Sequence, residues 1–332
     1  MGVWQVDADT LAESRFVVSS LAETAASLKK LADPKAAHPG ERQWLDRHLP
    51  AYRARLAADP VTAQLVAAAF GAAWTADFVT PVPAGLRGLD LDEGLDRIRA
   101  TPPEAVRADL AVSSAGPLPA ALARADDLAE RTAALLAWVW RETVRPQWTW
   151  RRRIIEADVV ARTRQLTLGG WSAALDGMLP AMRWLGDGRL RINAHDRPPR
   201  DISGARLLFV PVTPKQAWFS WETGADRYAV VYPCAGALAD AGRTAPPSGL
   251  AALIGPARAQ VLVLLAQPLT TSQLVALTGQ GLGSVGRHLR VLLDARLVRR
   301  RRAGRSVLYY RAPAGDALLA AQREAGDAAP DA

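Results

Sequence analysis

One cysteine, Cys234, stands in a chain of 332 residues. A lone thiol makes no intrachain disulfide, and Cys234 reads as a small buried apolar residue rather than a reactive group. The four histidines, His38, His48, His195 and His288, are scattered without metal-ligand spacing, so no structural metal is expected. No apolar run reaches bilayer length, and the first ten residues have neither a basic start nor an apolar signal segment. The chain therefore reads as cytoplasmic, with no membrane partner. It also lacks a glycine-rich phosphate loop, a G-x-S-x-G elbow and a histidine near any plausible nucleophile in sequence. Those absences argue against an enzyme, and neither catalytic residues nor a cofactor are assigned. The stretch "NAHDRPPRD" at 193–201 gathers one histidine and two aspartates, but its turn-forming neighbours make it a surface loop.

What is present is charge, unevenly placed. The net charge is +8, and residues 250–312 hold ten arginines against the single acid Asp294, a local balance of +9 that leaves the rest at −1. Lysine is scarce throughout, so arginine as such says little; its clustering is the signal. A near-neutral region attached to a strongly basic one is the electrostatic footprint of a module that meets a polyanion. With 49% hydrophobic residues the chain is ordinarily globular and long enough for two domains.

Periodicity gives a mainly α fold with small antiparallel β elements: a helical N-terminal domain over 1–240, a second domain over 248–323, and a disordered tail from 324. Thr10 and Glu13 have capping-box spacing, opening a helix through Leu11, Val18, Leu21, Ala25 and Leu28 that ends near Asp33-Pro34. Further helices fall near 41–56, 60–72, 90–99, 103–110 and 119–142. Another starts at Pro146, buries Trp148, Ile155, Val159 and Leu166, and stops at Gly169-Gly170; a helix over 171–186 follows. Val3–Val6, Arg189–Ile192, Arg206–Val212, Ala217–Trp221 and Tyr228–Tyr232 alternate as short strands, the last four forming one antiparallel sheet. The stretch "AGALADAGRTAPPSG" at 235–249 reads as the interdomain connection.

Beyond it, Leu250–Ala266 is two short helices broken at Gly255-Pro256. Thr270 and Gln273 form a capping box, opening a helix that Gly279 closes. A helix over 282–295 follows, with Val285, Leu289, Leu292 and Leu293 inward. Leu297–Arg302 and Arg305–Arg311 then make a hairpin turning at Ala303-Gly304, anchored by Leu297, Val298, Val307 and Tyr309. Helix, helix-turn-helix and hairpin in that order make a winged helix. Its hairpin carries Arg299, Arg300, Arg301, Arg302 and Arg305, suited to straddling phosphates without sequence choice. Gly283, Ser284, Arg287, His288 and Arg290 lie on or beside the outward side of the second helix, where arginine can pair with guanine. Thr271, Ser272 and Gln273 complete the candidate contact set. His288 reads equally well as a partly buried packing residue.

The segments "RAQVLVLLAQPLTTSQLVALTG" (258–279), "SVGRHLRVLLDARLV" (284–298) and "RRRAGRSVLYYR" (300–311) resemble the ArsR/SmtB-like family of bacterial winged-helix regulators. The resemblance implies a transcriptional regulator that binds double-stranded operator DNA as a homodimer, usually as a repressor released by an effector. Three features depart from the family. Ser272–Val275 stand where metal-sensing members place cysteines, and the last helix lacks a His/Asp ligand set, so metal sensing is disfavoured. The turn "GQGLG" at 279–283 has glycines where the family commonly has serine and glutamine, which shifts weight toward indirect readout. Only a short helix near Asp316–Arg323 follows the wing, leaving dimerisation to the N-terminal region. That upstream region resembles the helical extension of long family members from high-GC bacteria. Two other readings stay open: a winged-helix module binding protein or RNA without a promoter, and an enzyme tethered to DNA.

All eleven tryptophans precede residue 222. Most such rings are core or interface. The functional alternative is an aromatic pocket for a small apolar or planar effector, with Trp148, Trp171 and Trp184 as its expected lining.

Overall fold

The computed structural model describes residues 2–36, 39–71, 74–83, 90–114, 116–175, 177–193, 198–234, 246–266, 268–278, 280–303 and 306–327. The chain divides into two compact units, one of Met1–Thr149 with Arg162–Cys234 and the other of Trp150–Ala161 with Ala235–Ala332. The fold is mainly helical with small sheets. Most of the 235–249 connection, together with His38, His195, Gly279, Gly304, Arg305 and the end of the tail, lies outside the described residues.

The first unit opens with β1 (Val3–Gln5), α1 (Ala8–Glu13), β2 (Arg15–Phe16), α2 (Ser20–Ala32), α3 (Pro39–Ala58) and α4 (Pro60–Ala69). Then come α5 (Leu91–Arg99), α6 (Pro103–Ser113), α7 (Ala120–Arg124), α8 (Leu128–Val139) and the long α9 (Trp148–Leu175), whose Trp150–Ala161 section belongs to the other unit. The strands β3 (Arg183–Gly186), β4 (Arg189–Arg191), β5 (Arg200–Asp201), β6 (Arg206–Val212), β7 (Trp218–Glu222) and β8 (Arg227–Pro233) complete it.

Three helix expectations are corrected. The helix sought from Thr10 onward is two helices separated by β2, because Asp7 rather than Thr10 caps the first, accepting from Thr10 N at 2.8 Å. The Thr10 hydroxyl instead donates to the Ile202 carbonyl at 3.2 Å, and Ser19 caps α2 by accepting from Ala22 N at 3.1 Å. The span 119–142 breaks at Ala125, which is extended. Gly169 and Gly170, the latter at φ +66°, leave helical geometry inside α9 where the sequence puts the break, but the helix after them ends at Leu175 rather than 186, so 183–186 is strand.

The strands form two sheets, not one antiparallel sheet: β3-β4-β1-β5 and β2-β6-β8-β7. β6 and β8 run parallel from Arg206↔Arg227 to Val212↔Pro233, while β7 pairs antiparallel with β8. Side-chain period reports which face a residue occupies and is silent on strand direction. The burial of all but the first residue of β6 is what a central strand covered on both faces requires. Two buried charges here are partnered: Glu23 accepts from the Thr213 amide at 2.7 Å and from its hydroxyl, and Lys30 pairs with Glu41 at 3.2 Å.

The second unit holds α10 (Ser248–Ile254), α11 (Pro256–Leu264), β9 (Leu269–Thr270), α12 (Thr271–Thr278), α13 (Leu282–Asp294), β10 (Val298–Ala303), β11 (Ser306–Arg311) and α14 (Pro313–Asp327). Gly255, at φ +85°, separates the first two helices as the Gly-Pro pair predicts. Leu262, Leu274, Val285, Leu289, Leu292, Val298 and Leu319 meet in one core against which Trp150 packs; burying each such side chain contributes about 1.5–3 kcal/mol. The hairpin is not two-stranded, since β9 adds to β11 through Leu308↔Thr270 and Tyr309↔Leu269. Of its expected anchors, Val298 is buried and Leu297 and Tyr309 pack on the core, but Val307 is 39% exposed and anchors nothing. α14 begins earlier than Asp316 and runs to Asp327, so the first residues of the expected disordered tail are helical.

Candidate nucleic-acid interface and aromatic cavity

Helices α12 and α13 are set by local chemistry. Gln273 Oε1 accepts from Thr270 N at 2.8 Å while Thr270 Oγ1 accepts from Gln273 N at 3.2 Å, the reciprocal capping box read from the sequence. This has a consequence for Gln273: only 2% exposed and committed to the cap, it leaves the set of DNA-contact candidates. Thr271 and Ser272 beside it are half-buried. Gly281 starts α13 with no side-chain cap.

α13 buries Val285, Leu289 and Leu292. At 100° per residue the opposite face carries Gly283, Arg287 and Arg290, all exposed. An added Cβ at Gly283 on this face, at Gly286 on its flank or at Gly281 just before the helix would meet nothing within 4 Å, so the surface around the two arginines is low. Ser284 and His288 flank it: the Ser284 hydroxyl donates to Gln280 Oε1 at 3.2 Å and lies 3.3 Å from His288 Nε2. Burial, then the positive charges of Arg258 and Arg287, hold the His288 pKa below the ordinary histidine range, so the ring is neutral at neutral pH. Spacing did not single out Leu282 and Val291, which are 58% and 40% exposed and edge the same face. Nor did it single out Arg258, whose charge acts on His288 from α11.

In the wing, β10 pairs with β11 from Val298↔Arg311 to Ala303↔Ser306. Ala303 is therefore a strand residue, not half of the turn. Arg299, Arg300, Arg301 and Arg302 are all exposed, alternating between the two faces of the ribbon. Arg311 Nε meets Asp316 Oδ1 at 3.2 Å, and Ala312 N donates to Leu297 O at 2.9 Å, which tie the wing's last strand to α14 and to the start of β10. Exposed guanidinium groups on a short anchored ribbon beside an arginine-bearing helix can neutralise phosphates and reach base edges together.

This geometry defines a winged helix-turn-helix. Residues 255–300, from α11 into β10, match the family model described as bacterial regulatory protein, arsR family. The match supports a DNA-binding transcription regulator. No curated protein and no solved structure matches the chain. Among the described residues no group of His, Cys, Asp and Glu is arranged to hold a metal, and no helix is long and apolar enough to cross a membrane.

The first unit contains an aromatic cavity of about 550 Å³, but not where the sequence placed it. Trp148 packs edge-on against Trp140 at 5.3 Å, Trp171 stacks on Phe16 and Phe209, and Trp184 packs on the sheet core. None of the three lines the cavity. Its walls are Trp4, Trp74, Trp218 and Trp221, with Trp74 and Trp221 edge-to-face at 4.8 Å. Lys29 Nζ donates to Thr75 Oγ1 at 3.0 Å and stands 5.6 Å from the Trp218 ring centre, while the Arg200 guanidinium lies 4.4 Å over Trp221. Burial pulls the Lys29 amine down to about 8.

Proposed function

We propose that the chain is a sequence-specific, dimeric transcriptional repressor of the arsR type that responds to a small aromatic effector rather than to a metal. The observation that carries this reading is the pairing of Arg287 and Arg290 on the exposed face of α13 with the row Arg299–Arg302 on the adjoining wing. Arg299, Arg300, Arg301 and Arg302, with Arg305 next in sequence, neutralise phosphates. Arg287 and Arg290 read guanine O6 and N7, and the uncapped start of α13 with Ser284 takes a phosphate or base edge. Leu282 and Val291 suit thymine methyl groups. Thr271 and Ser272 lie at the phosphate backbone, and Arg258 adds charge behind His288. Two copies place their α13 helices in successive major grooves, roughly 34 Å apart. An effector that favours another spacing of the two helices releases the operator.

Capture of genomic fragments by the purified chain, followed by titration of a retained palindrome against its scrambled duplex, tests the reading. Preference for the palindrome is the expected result. Equal binding to both would make the chain a nonspecific binder, and binding to RNA or protein alone would favour an interaction module.

A further inference from the structure

The cavity walls constrain what can enter. Four indole rings offer flat apolar faces, and a volume of about 550 Å³ holds a small planar molecule with room to spare. Aromatic boxes of this kind commonly take cations through ring quadrupoles, but here two protein cations already occupy that role, Lys29 beside Trp218 and Arg200 over Trp221. Among the described lining residues there is no carboxylate to balance them. Arg200 acts on Asp77, which lies outside the lining; burial and the neighbouring Asp109 push that carboxyl up to about 7, so it offsets the guanidinium only in part at neutral pH. Lys29 has a hydroxyl partner and a ring, and burial lowers its pKa, with no acid among the described residues to compensate. Trp218 is 6% exposed and its Nε1–H has no acceptor among the described residues. The cavity thus presents donors among aromatic faces: the ammonium of Lys29, the exposed guanidinium of Arg200 and the Trp218 N–H. A ligand complementary to that set is flat, apolar over most of its area, and carries an anionic acceptor group.

We propose that this cavity binds a planar aromatic carboxylate, its ring packed against Trp74, Trp218 and Trp221 and its charge compensated by Lys29 and Arg200. Such a ligand removes the penalty of an uncompensated buried ammonium and keeps its own ring out of water. The inference deepens the effector reading and rests on it only for the consequence at DNA; binding itself stands apart.

Calorimetric titration of the full chain without DNA tests it, using benzoate, salicylate, indole acetate and naphthoate, each beside its primary amide, and naphthylmethylammonium as the cationic counterpart. The expected result is saturable binding of at least one carboxylate, its amide weaker by about tenfold or more, and no binding of the ammonium compound. Lys29→Met is expected to cost the carboxylate about tenfold and to narrow the gap to the amide; Arg200→Gln, on an exposed strand, gives the same readout should the first variant fail to fold. Equal affinity for acid and amide, preference for the ammonium compound, silence of all four carboxylates to about 1 mM, or unchanged affinity in a folded variant would overturn the proposal. Operator retention is measured with no ligand present, so its failure would sink the regulator reading and leave the cavity assignment untouched.

Discussion

The two units handle positive charge in opposite ways. In the second, the wing arginines are held out in solvent on a ribbon whose attachment is apolar, through Val298 in the core and Leu297 and Tyr309 against it. In the first, Lys30 is buried against Glu41, and Lys29 lies against Trp218 with no acid partner among the described residues. Ten of the eleven tryptophans belong to the first unit, and Trp150 alone packs in the second. Exposed charge costs little to keep and is available to a large, repeating polyanion, whereas buried charge is costly to keep and selects a small partner that fits. On the function and the ligand proposed above, the same residue chemistry serves breadth in one unit and selectivity in the other.

The largest expected effect breaks the exposed side of that comparison. Replacing Arg300, Arg301 and Arg302 with alanine should weaken binding to every duplex by a similar factor, about a hundredfold or more at low salt, as read by fluorescence anisotropy on several sequences. Arg287→Ala should instead cost about 1–3 kcal/mol on the preferred site and much less on scrambled duplex. An equal loss on all sequences would place Arg287 among the phosphate contacts.

The buried side is sharpened by Lys29→Met. The Lys29 amine titrates at about 8 in the fold against 10.5 ordinarily, so between those values the unfolded chain binds more protons and stability rises with pH. The penalty is complete below about pH 8 and gone above about 10.5. Denaturant unfolding should show Lys29→Met more stable than the parent by about 1–3 kcal/mol at neutral pH, with the gain vanishing in alkali. A gain that does not change with pH would mean that the substitution acts through packing.

The smallest effect separates folding from recognition on α13. Gly286→Ala places its methyl in open space and should stabilise the second unit by about 0.5–1 kcal/mol through helix propensity. If that low face is pressed against base pairs, affinity for DNA falls although the fold gains. A variant both more stable and equally tight would show that the glycines leave the face bare for no recognition purpose.

Much of the second unit was legible because its signals are local. The Thr270/Gln273 box, the break at Gly255 and the heptad-like spacing of Val285, Leu289 and Leu292 each act within a few residues, and the structure forms them where the spacing puts them. The Gln273 assignment failed for a related reason: the cap that made it visible also consumes it. β9 was missed because two residues, Leu269 and Thr270, carry no period. In the first unit the sequence shows β1, β4, β6, β7 and β8 but not β2, β3 or β5, and it does not show strand direction, since parallel β6–β8 pairing joins residues about twenty apart without local trace. The lining of the aromatic cavity, which omits Trp148, Trp171 and Trp184, is invisible in the sequence for the same reason. Its walls come from β1, α2, β5, β7 and a loop at Trp74, so only tertiary assembly brings Trp4, Lys29, Arg200 and Trp218 together.

The central claim, that the wing and α13 grip a duplex together, is tested most directly by the salt dependence of binding for the parent chain and the triple wing variant. If each protomer meets about three or four phosphates, log K for the parent dimer falls with log salt at a slope of about −5 to −7, and the variant's slope is less than half as steep. Identical slopes for the two, or no binding to double-stranded DNA even in dilute buffer, would contradict it.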